Sequence, residues 1–188
     1  MSGWQKKRSV MRRYELTAEM YDNRYAEEQT AKIIAALKNL TEPNGHILDA
    51  GCGTGLLFNY VANEARLTVG IDISKKTLML ALRRIRDMKI SNVFLVQADM
   101  DNMPFDTGVF GRIFSMTVLQ NSPDPGRTLA EIKRVGKHDV VFVITGLKNI
   151  FSKVAFRHLL KNAGMRIVTF EEKDLKCYVA ICTNSVSR

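Results

Sequence analysis

With 188 residues, 46% of them hydrophobic and 25% charged, the chain is long enough for one domain that buries its own core. Its 28 lysine and arginine residues against 19 acidic residues give a net charge of +9, which favours phosphate-bearing partners such as nucleic acids. No apolar run approaches the roughly 20 residues that cross a bilayer, and the basic start lacks the apolar stretch of a secretory signal. The composition therefore predicts a cytoplasmic protein without membrane contact.

The order of predicted elements follows from hydrophobic periodicity, which alternates between helical and strand patterns. The first element is a helix with Ile33, Ile34, Leu37 and Leu40 on one face, ending at the turn of residues 43–45. Seven strands are predicted after it, at residues 46–50, 67–71, 93–97, 111–116, 140–145, 165–170 and 176–182. Five βα units followed by a strand pair predict a parallel sheet covered on both faces, with an antiparallel strand at or near its edge.

The predicted helices lie between these strands, and two of them have clear starts. Ser74 is a predicted N-cap, and Asp124-Pro125 places an acidic cap before a proline in the first turn. The buried faces are predicted from helical spacing: Leu78, Ala81, Leu82, Ile85 and Met88 in one helix, Leu129, Ile132 and Val135 in the next, and Phe151, Val154, Ala155, His158 and Leu159 in the last.

Cysteine and histidine residues are too scattered to form a metal site, so no metal is predicted. Cys177 and Cys182 stand five residues apart in an apolar stretch and are expected on opposite faces of a strand, packed as small hydrophobic residues. His158 is expected in the core.

A glycine-rich turn, Gly51-Cys52-Gly53-Thr54-Gly55, follows the first strand directly and leads into a helix. Such a turn lets a ligand approach the backbone at the carboxyl ends of the strands. Asp72 ends the second strand 19 residues after Gly53, close to the spacing of about 20 at which an acid binds a ribose. Asp49, just before the glycines, would repel a pyrophosphate but suits a ligand with an ammonium group, which favours S-adenosylmethionine over a nicotinamide or flavin nucleotide.

Four segments resemble motifs of the class I, Rossmann-like S-adenosylmethionine-dependent methyltransferases. Residues 48–55 resemble the first motif, residues 70–74 the ribose-binding acidic motif, residues 97–100 the adenine segment, and residues 115–120 the fourth-strand motif beneath the sulfonium. Residues 129–135 also fit the helix that precedes the fifth strand. The chain departs from the family at residues 136–139, which replace the usual Pro-Gly-Gly turn at a place distant from the cofactor.

The resemblance implies an α/β fold of one domain, with a seven-stranded, mostly parallel sheet whose last strand is antiparallel and helices on both faces. It implies S-adenosylmethionine as the cofactor. The residues it implies for binding are Asp49 and the turn Gly51, Cys52, Gly53 and Gly55 at the methionine end, Asp72 at the ribose, Ile73, Asp99 and Met100 at the adenine, and Met116 beneath the sulfonium. Residues 1–40 form a basic tail and lid helix, and residues 41–188 the catalytic unit.

Tyrosines of the N-terminal helix are a further expectation from the resemblance. In similar enzymes an N-terminal helix folds over the cofactor, so Tyr21 or Tyr25 is expected to contact the methionine carboxylate or an acceptor ring. Simple packing on the core explains the spacing of these tyrosines equally well.

The acceptor side is predicted from the segment that follows the fourth strand. Methyltransferases of exocyclic base amines often carry Asn/Asp/Ser-Pro-Pro-aromatic there, and Ser122-Pro123 keeps only the first two positions. A loop leading into a capped helix explains this segment as well. Asn121 and Ser122 are the candidate catalytic residues, with Asn121 placed to accept a hydrogen bond from an amine. No cysteine lies there to act as a nucleophile.

Methylation of an RNA base, in ribosomal or transfer RNA, is the leading functional hypothesis. Its support is the basic N-terminus and the basic helix of residues 75–89, which are expected to contact RNA or a ribosomal particle. A solvated surface on a basic protein explains the charge equally well. A small-molecule methyltransferase is the alternative, and a non-catalytic cofactor-binding or scaffold subunit is the third. A partner subunit could supply RNA contacts, because no separate RNA-binding module is present.

Overall fold

The computed structural model describes residues 2–40 and 45–185, with the backbone alone at 21–24. The helices are α1 (Gly3–Leu37), α2 (Phe58–Val61), α3 (Lys75–Asp87), α4 (Pro125–Val135) and α5 (Lys153–Asn162), with a 3-10 turn at Leu119–Asn121. The strands are β1 (His46–Ala50), β2 (Leu67–Asp72), β3 (Val93–Gln97), β4 (Phe110–Ser115), β5 (Gly136–Leu147), β6 (Met165–Glu171) and β7 (Cys177–Asn184). Within the described ranges, no helix combines the length and apolar composition of a bilayer-spanning segment.

The seven strands form one sheet in the order β3-β2-β1-β4-β5-β7-β6. The pairs from β3 to β5 are parallel, whereas β7 is antiparallel to both β5 and β6. The predicted Rossmann-like architecture, with its last strand antiparallel, is therefore confirmed. In the register, Ala50 pairs with Ile71 and Asp72 with Gln97, so the carboxyl ends of β1, β2 and β3 lie at the same edge of the sheet.

Helices cover both faces of the sheet because each strand buries alternate residues on opposite sides. On one face, Leu129 and Ile132 of α4 and Phe156 of α5 pack against β1, β2, β4 and β5. On the other face, Ile33 of α1 packs against the strands, and α3 packs over Phe58 of α2. Cys177 and Cys182 lie in different core clusters, as predicted for opposite faces of one strand.

The predicted helix starts are confirmed by their caps. The Ser74 hydroxyl accepts from the Thr77 N–H at 3.3 Å, and the Asp124 carboxylate accepts from the Arg127 N–H at 3.1 Å. Each bond satisfies an N–H group that has no partner within the helix. These caps fix where α3 and α4 begin.

Several predicted burial patterns are wrong. In α5 the buried residues are Phe156 and Leu160, so His158 lies on the exposed side and is not a core residue. The spacing of apolar residues fits two neighbouring stripes of this helix, and the sheet contacts the stripe that carries Phe156 and Leu160. Val154 and Ala155 of the same predicted face are also exposed, as are Ile34, Leu82 and Met88 of the other predicted faces.

Residues 136–139 also differ from the prediction, because they begin β5 and do not form a turn before it. Gly136 already pairs with Phe110, and the register shifts before Arg112 pairs with Val141. This bulge-like shift in register leaves the extra residues of β5 unpaired with β4, and the strand continues through them. Of the turn predicted at 43–45, only Gly45 lies within the described residues.

The N-terminal residues predicted as a basic tail form the first turns of α1, which continues unbroken for 35 residues. Ser2 caps this helix in a capping box, accepting from the Gln5 N–H while the Gln5 side chain accepts from the Ser2 N–H. The far end of α1 packs on the sheet through Ile33 and Ala36. The basic segment is therefore held against the domain by an ordered helix.

Candidate functional site

The glycine turn closes tightly over the end of β2. The N–H groups of Gly51 and Cys52 both donate to the Ile71 carbonyl at 2.9 Å, and Gly51 has a φ of +83°. A Cβ at Gly51 would collide with the Val118 side chain, and one at Gly55 with the Phe58 ring. Only glycine therefore allows the backbone to take this path beside a ligand.

Asp72 is fixed at the carboxyl end of β2 by two backbone donors. One carboxylate oxygen accepts from the Gly53 N–H at 3.0 Å and the other from the Ser74 N–H at 2.8 Å. Burial raises the pKa of Asp72 above its ordinary value, against the opposing effect of these hydrogen bonds. The carboxylate is thus oriented towards the space beside the turn.

Asp49 is a buried acid, with 4% of its surface exposed. Burial, together with the nearby Asp72 carboxylate, raises the pKa of Asp49 to about 8. Within the part of the chain that the structure describes, its carboxylate has no hydrogen-bond or ion-pair partner. The same surroundings raise the pKa of the Cys52 thiol, through burial first and Asp49 second. A bound cation would relieve this accumulation of buried acid.

Three adjoining cavities surround these residues. The central cavity, about 820 Å³ with its mouth, is lined by Gly51, Gly53, Asp72, Ile73, Asp99, Met100 and Met116. The Asp49 recess adjoins it and is lined by Asp49, Cys52 and Met116 together with Ala26, Gln29 and Ile33 of α1. The side cavity lies between α1 and the segments that follow β4 and β5, and it shares Tyr14, Thr117 and Asn121 with the central cavity.

The first turns of α1 form a roof over the central cavity. Lys7 contacts Asp99 at 2.6 Å and Asp101 at 2.5 Å, while Lys6 donates to the Ser122 carbonyl at 2.8 Å. Burial lowers the pKa of Lys7, but the hydrogen bonds to Asp101 and Asp99 outweigh it and the pKa lies above its ordinary value. The helix is therefore held to both sides of the cavity.

The tyrosines of the lid are expected at the methionine carboxylate or at an acceptor ring. Tyr25 lines the side cavity, and the side chain of Tyr21 lies outside the described residues. Lys7, Val10 and Tyr14 of α1 line the central cavity instead. The part of α1 that covers this cavity is thus nearer the N-terminus than the resemblance suggested.

Asn121 and Ser122 lie beside the cavities, but their polar atoms are engaged. The Asn121 oxygen accepts from Arg13 at 2.7 Å, and its nitrogen donates to the Tyr14 hydroxyl at 3.0 Å. The Ser122 hydroxyl bonds the Thr128 hydroxyl at 2.7 Å and accepts from the Asp124 N–H at 3.1 Å. In this arrangement neither residue offers a free acceptor to a substrate amine.

Gln120 has an unpaired side-chain oxygen, which only the folded structure reveals. Its side-chain nitrogen donates to the Thr117 carbonyl at 2.6 Å, which leaves its buried oxygen without a partner among the described residues. Thr117 itself has a φ of +62°, an unusual conformation for a β-branched residue. Its hydroxyl contacts Lys32, a lysine with no exposed surface whose ammonium also pairs with Glu28 at 2.7 Å.

The basic residues that suggested RNA binding divide into two groups. Those already engaged are Lys6, Lys7 and Arg13, together with Lys76, which pairs with Glu19, and Arg84, which donates to the Thr54 carbonyl. Those on the open surface are Arg8, Arg12, Lys75, Arg83, Arg86 and Lys89. Part of the positive charge is therefore used in contacts within the domain.

Comparison with known proteins identifies the family. The methyltransferase domain family profile matches residues 41–176. A ubiquinone/menaquinone biosynthesis C-methyltransferase of Wigglesworthia glossinidia brevipalpis is 29% identical over 134 residues, 69% of this chain and 52% of that protein. A sarcosine/dimethylglycine N-methyltransferase of Halorhodospira halochloris is 22% identical over 78% of this chain and 61% of its own length. The chain thus spans about half the length of the curated relatives it matches.

Solved structures share the same fold at low sequence identity. The magnesium protoporphyrin IX methyltransferase of Synechocystis, solved with bound S-adenosylmethionine, has a TM-score of 0.77 at 17% identity, over 96% of this chain and 97% of that one. The chain in complex with the Haloferax volcanii Trm112 methyltransferase activator has a TM-score of 0.79 at 16% identity, over 95% and 99%. Because the profile match spans residues 41–176, well over half of the chain, the chain belongs to the methyltransferase domain family.

Proposed function

We propose that this chain is a methyltransferase that uses S-adenosylmethionine. The observation that carries the proposal is the buried Asp49 carboxylate, which lacks a counter-ion beside a turn that leaves room for a ligand. S-adenosylmethionine carries an ammonium and a sulfonium, so it matches two buried acids better than a dinucleotide pyrophosphate does. The solved relative with bound S-adenosylmethionine supports the same assignment.

The cavities fit the parts of this cofactor. The Asp49 recess suits the methionine end, the Asp72 carboxylate suits two ribose hydroxyls, and the pocket of Ile73 and Met100 suits the adenine. The cofactor supplies an electrophilic methyl group. The chain's own contribution is to orient the acceptor at the wall shared by the two larger cavities and to exclude water beneath α1.

Calorimetric titration with S-adenosylmethionine and, separately, with NAD tests the cofactor assignment. We expect one site for S-adenosylmethionine and none for NAD, because the described lining of the Asp49 recess offers no cationic side chain to a pyrophosphate. Binding of NAD alone would overturn the proposal. Binding of S-adenosylmethionine without transfer to any acceptor would favour a scaffold subunit over an enzyme.

A small molecule is the acceptor that the site favours. The side cavity reaches the central cavity at Tyr14, Thr117 and Asn121 and is bounded by the chain's own helix α1. The names of two curated relatives, a ubiquinone/menaquinone biosynthesis C-methyltransferase and a sarcosine/dimethylglycine N-methyltransferase, refer to small molecules. The basic first turns of α1 are partly engaged within the domain, which weakens the argument from charge for RNA.

An RNA base is the second candidate, because Arg83 and Arg86 on α3 and Lys89 just after it are exposed basic side chains that attract phosphate. Transfer of labelled methyl from S-adenosylmethionine, with total RNA and a metabolite extract offered in parallel, separates the two acceptors. Label in the metabolite fraction alone supports the small molecule. Label in RNA, reduced when these three residues are changed to glutamine, supports the RNA base.

A partner subunit is proposed by analogy with the chain held by the Trm112 activator. The edge strand β3, which presents a half-exposed Phe94, is free to take a further strand in the described sheet. Measuring cofactor binding and methyl transfer with the purified chain alone tests the need for an activator. Full activity of the isolated chain would contradict it.

A further inference from the structure

The charged side chains that line the side cavity are predominantly cationic. Arg13, Lys148 and Lys176 line it, whereas Glu28 is the one acidic side chain among its described lining residues. Tyr14 and Tyr25 add aromatic surface, and the rest of the wall consists of apolar and uncharged polar side chains. A cavity of this composition attracts an anion and provides flat, apolar surface for the remainder of a ligand.

The charges of the side cavity do not balance internally. Glu28 already pairs with Lys32 at 2.7 Å and with Lys176 at 3.3 Å. Arg13 donates to the neutral Asn121 oxygen, and its guanidinium lies 5.3 Å from the centroid of the Tyr14 ring. Lys148 donates to the Glu172 carbonyl at 2.6 Å. Among the residues that the structure describes, Arg13 and Lys148 therefore have no carboxylate partner.

An acceptor for a hydrogen bond lies in the same wall. The side-chain oxygen of Gln120 is buried and unpaired, because its amide nitrogen is committed to the Thr117 carbonyl. An unpaired buried acceptor is costly, and a ligand that donates a hydrogen satisfies it once the Gln120 side chain turns its covered oxygen towards the cavity that the residue lines. The position of Gln120 next to Thr117 and Asn121 places it at the junction with the central cavity.

We propose that the side cavity binds a small anionic acceptor, with a hydroxyl or amine on a flat body and a carboxylate or phosphate at the other end. The inference rests on the proposed function. The anion is held by Arg13 and Lys148, the body lies against the tyrosines, and the hydroxyl or amine donates to the Gln120 oxygen. This orientation directs the nucleophilic atom towards the central cavity.

Matched ligands test the requirement for an anion. The probes are 4-hydroxybenzoate, 4-aminobenzoate, 4-hydroxyphenyl phosphate and the neutral 4-hydroxybenzamide, titrated calorimetrically with and without S-adenosylhomocysteine. We expect the anionic probes to bind about tenfold more tightly than the amide, since one charge-assisted contact is worth roughly that factor. The carboxylate and phosphate probes decide which anion the cavity prefers.

A pair of lysine variants locates the anion. Lys148→Met should remove most of the preference for the anionic probes and leave the affinity for the amide unchanged. Lys173→Met is the matched control, because Lys173 is exposed in the turn before β7 and does not line the cavity. The control should retain the preference in full.

The outcomes separate this inference from the proposed function. Equal affinity for acid and amide, no binding of any anionic probe at millimolar concentration, or an equal effect of the two lysine variants would overturn the anion site. Absence of S-adenosylhomocysteine binding would instead count against the proposed cofactor, and the probe titrations without it would still report on the side cavity.

Discussion

Asp49 shows how one side chain can link cofactor choice to stability. In the chain without ligand, its carboxyl group is buried beside Asp72 and the Cys52 thiol, and its pKa lies at about 8 against an ordinary value of 3.8. Between these values the folded protein holds a proton that the unfolded chain releases. The free energy of unfolding therefore falls as the pH rises through this window and levels off above it.

Asp49→Asn removes this ionisation and nearly preserves the shape of the side chain. We expect the melting temperature of the variant, relative to the unmodified chain, to increase progressively between about pH 5 and about pH 8. Differential scanning calorimetry across this range measures the difference. A difference that does not vary with pH would show that Asp49 is already compensated. The variant should also bind S-adenosylmethionine more weakly, because the ammonium loses its counter-ion.

Asp72→Ala tests the ribose assignment. The change removes a charge-assisted pair of hydrogen bonds, so we expect cofactor binding to weaken by about 2 kcal/mol or more. Titration calorimetry gives the affinity, and thermal unfolding checks that the glycine turn survives the loss of the bonds to Gly53 and Ser74. Asp87→Ala, at an exposed position in α3, is the control. Equal affinities for the two variants would refute the assignment.

Among single residues, those whose positions depend on local structure could be predicted from the sequence. Gly51 and Asp72 could be placed because the turn directly follows one strand and the acid ends the next. Gln120 and Lys7 could not be predicted, because their importance comes from partners distant in the chain. The Gln120 oxygen is notable only once its nitrogen is seen to bond Thr117, and Lys7 only once α1 is seen to reach Asp99.

Helix α1 is the element that differs most from expectation. Its basic residues suggested a surface for RNA, yet Lys6 and Lys7 hold its first turns across the central cavity. Lys7 occupies the Asp99 carboxylate that the family resemblance assigns to the adenine amine. A ligand that uses Asp99 must therefore displace Lys7 or share the carboxylate with it.

Lys7→Met should release the first turns of α1 and speed exchange of the cofactor. An ion pair of this kind is worth about 1.4 kcal/mol, which corresponds to roughly a tenfold change in rate. Stopped-flow measurement of S-adenosylhomocysteine association and dissociation gives both rates. Arg8→Met, at the neighbouring exposed position, should leave them unchanged. If the Lys7 variant also exchanges at the original rate, this ion pair does not control entry.

Elements were predicted well where caps and strand patterns specify them. Ser74 and Asp124 began their helices as expected, because each cap depends on residues within three positions. The buried face of α5 was not predicted correctly, because apolar residues occupy two adjacent stripes and only contact with the sheet decides between them. Phe156 lies against Tyr178 with ring centroids 5.8 Å apart, which places His158 on the outside.

At the scale of the whole molecule, the sheet and α1 form a single framework around the three cavities. The far end of α1 is anchored in the core at Ile33 and Ala36, and its first turns rest on the carboxyl ends of the strands. The fold class could be predicted from the alternation of elements alone. The enclosure of the cavities could not, because it depends on where a long helix crosses the sheet.

Ligand binding should stabilise this framework as a unit. At a concentration of S-adenosylhomocysteine one hundred times its dissociation constant, we expect stabilisation of about 2.7 kcal/mol. Hydrogen exchange should slow in residues 3–14 of α1 as well as in residues 51–55, because both border the central cavity. Residues 106–108, exposed in the turn before β4, provide an internal reference. Protection confined to residues 51–55 would show that α1 moves independently of the ligand.

The shared wall at Tyr14, Thr117 and Asn121 has a thermodynamic consequence. A ligand in the side cavity and a ligand in the central cavity both contact the same segment of α1. When one ligand binds and orders this segment, the other ligand binds to a segment that is already ordered. Their affinities are then linked, and the factor by which the first changes the second equals the factor by which the second changes the first. Cooperativity between donor and acceptor would thus arise from one helix, with no movement of the sheet.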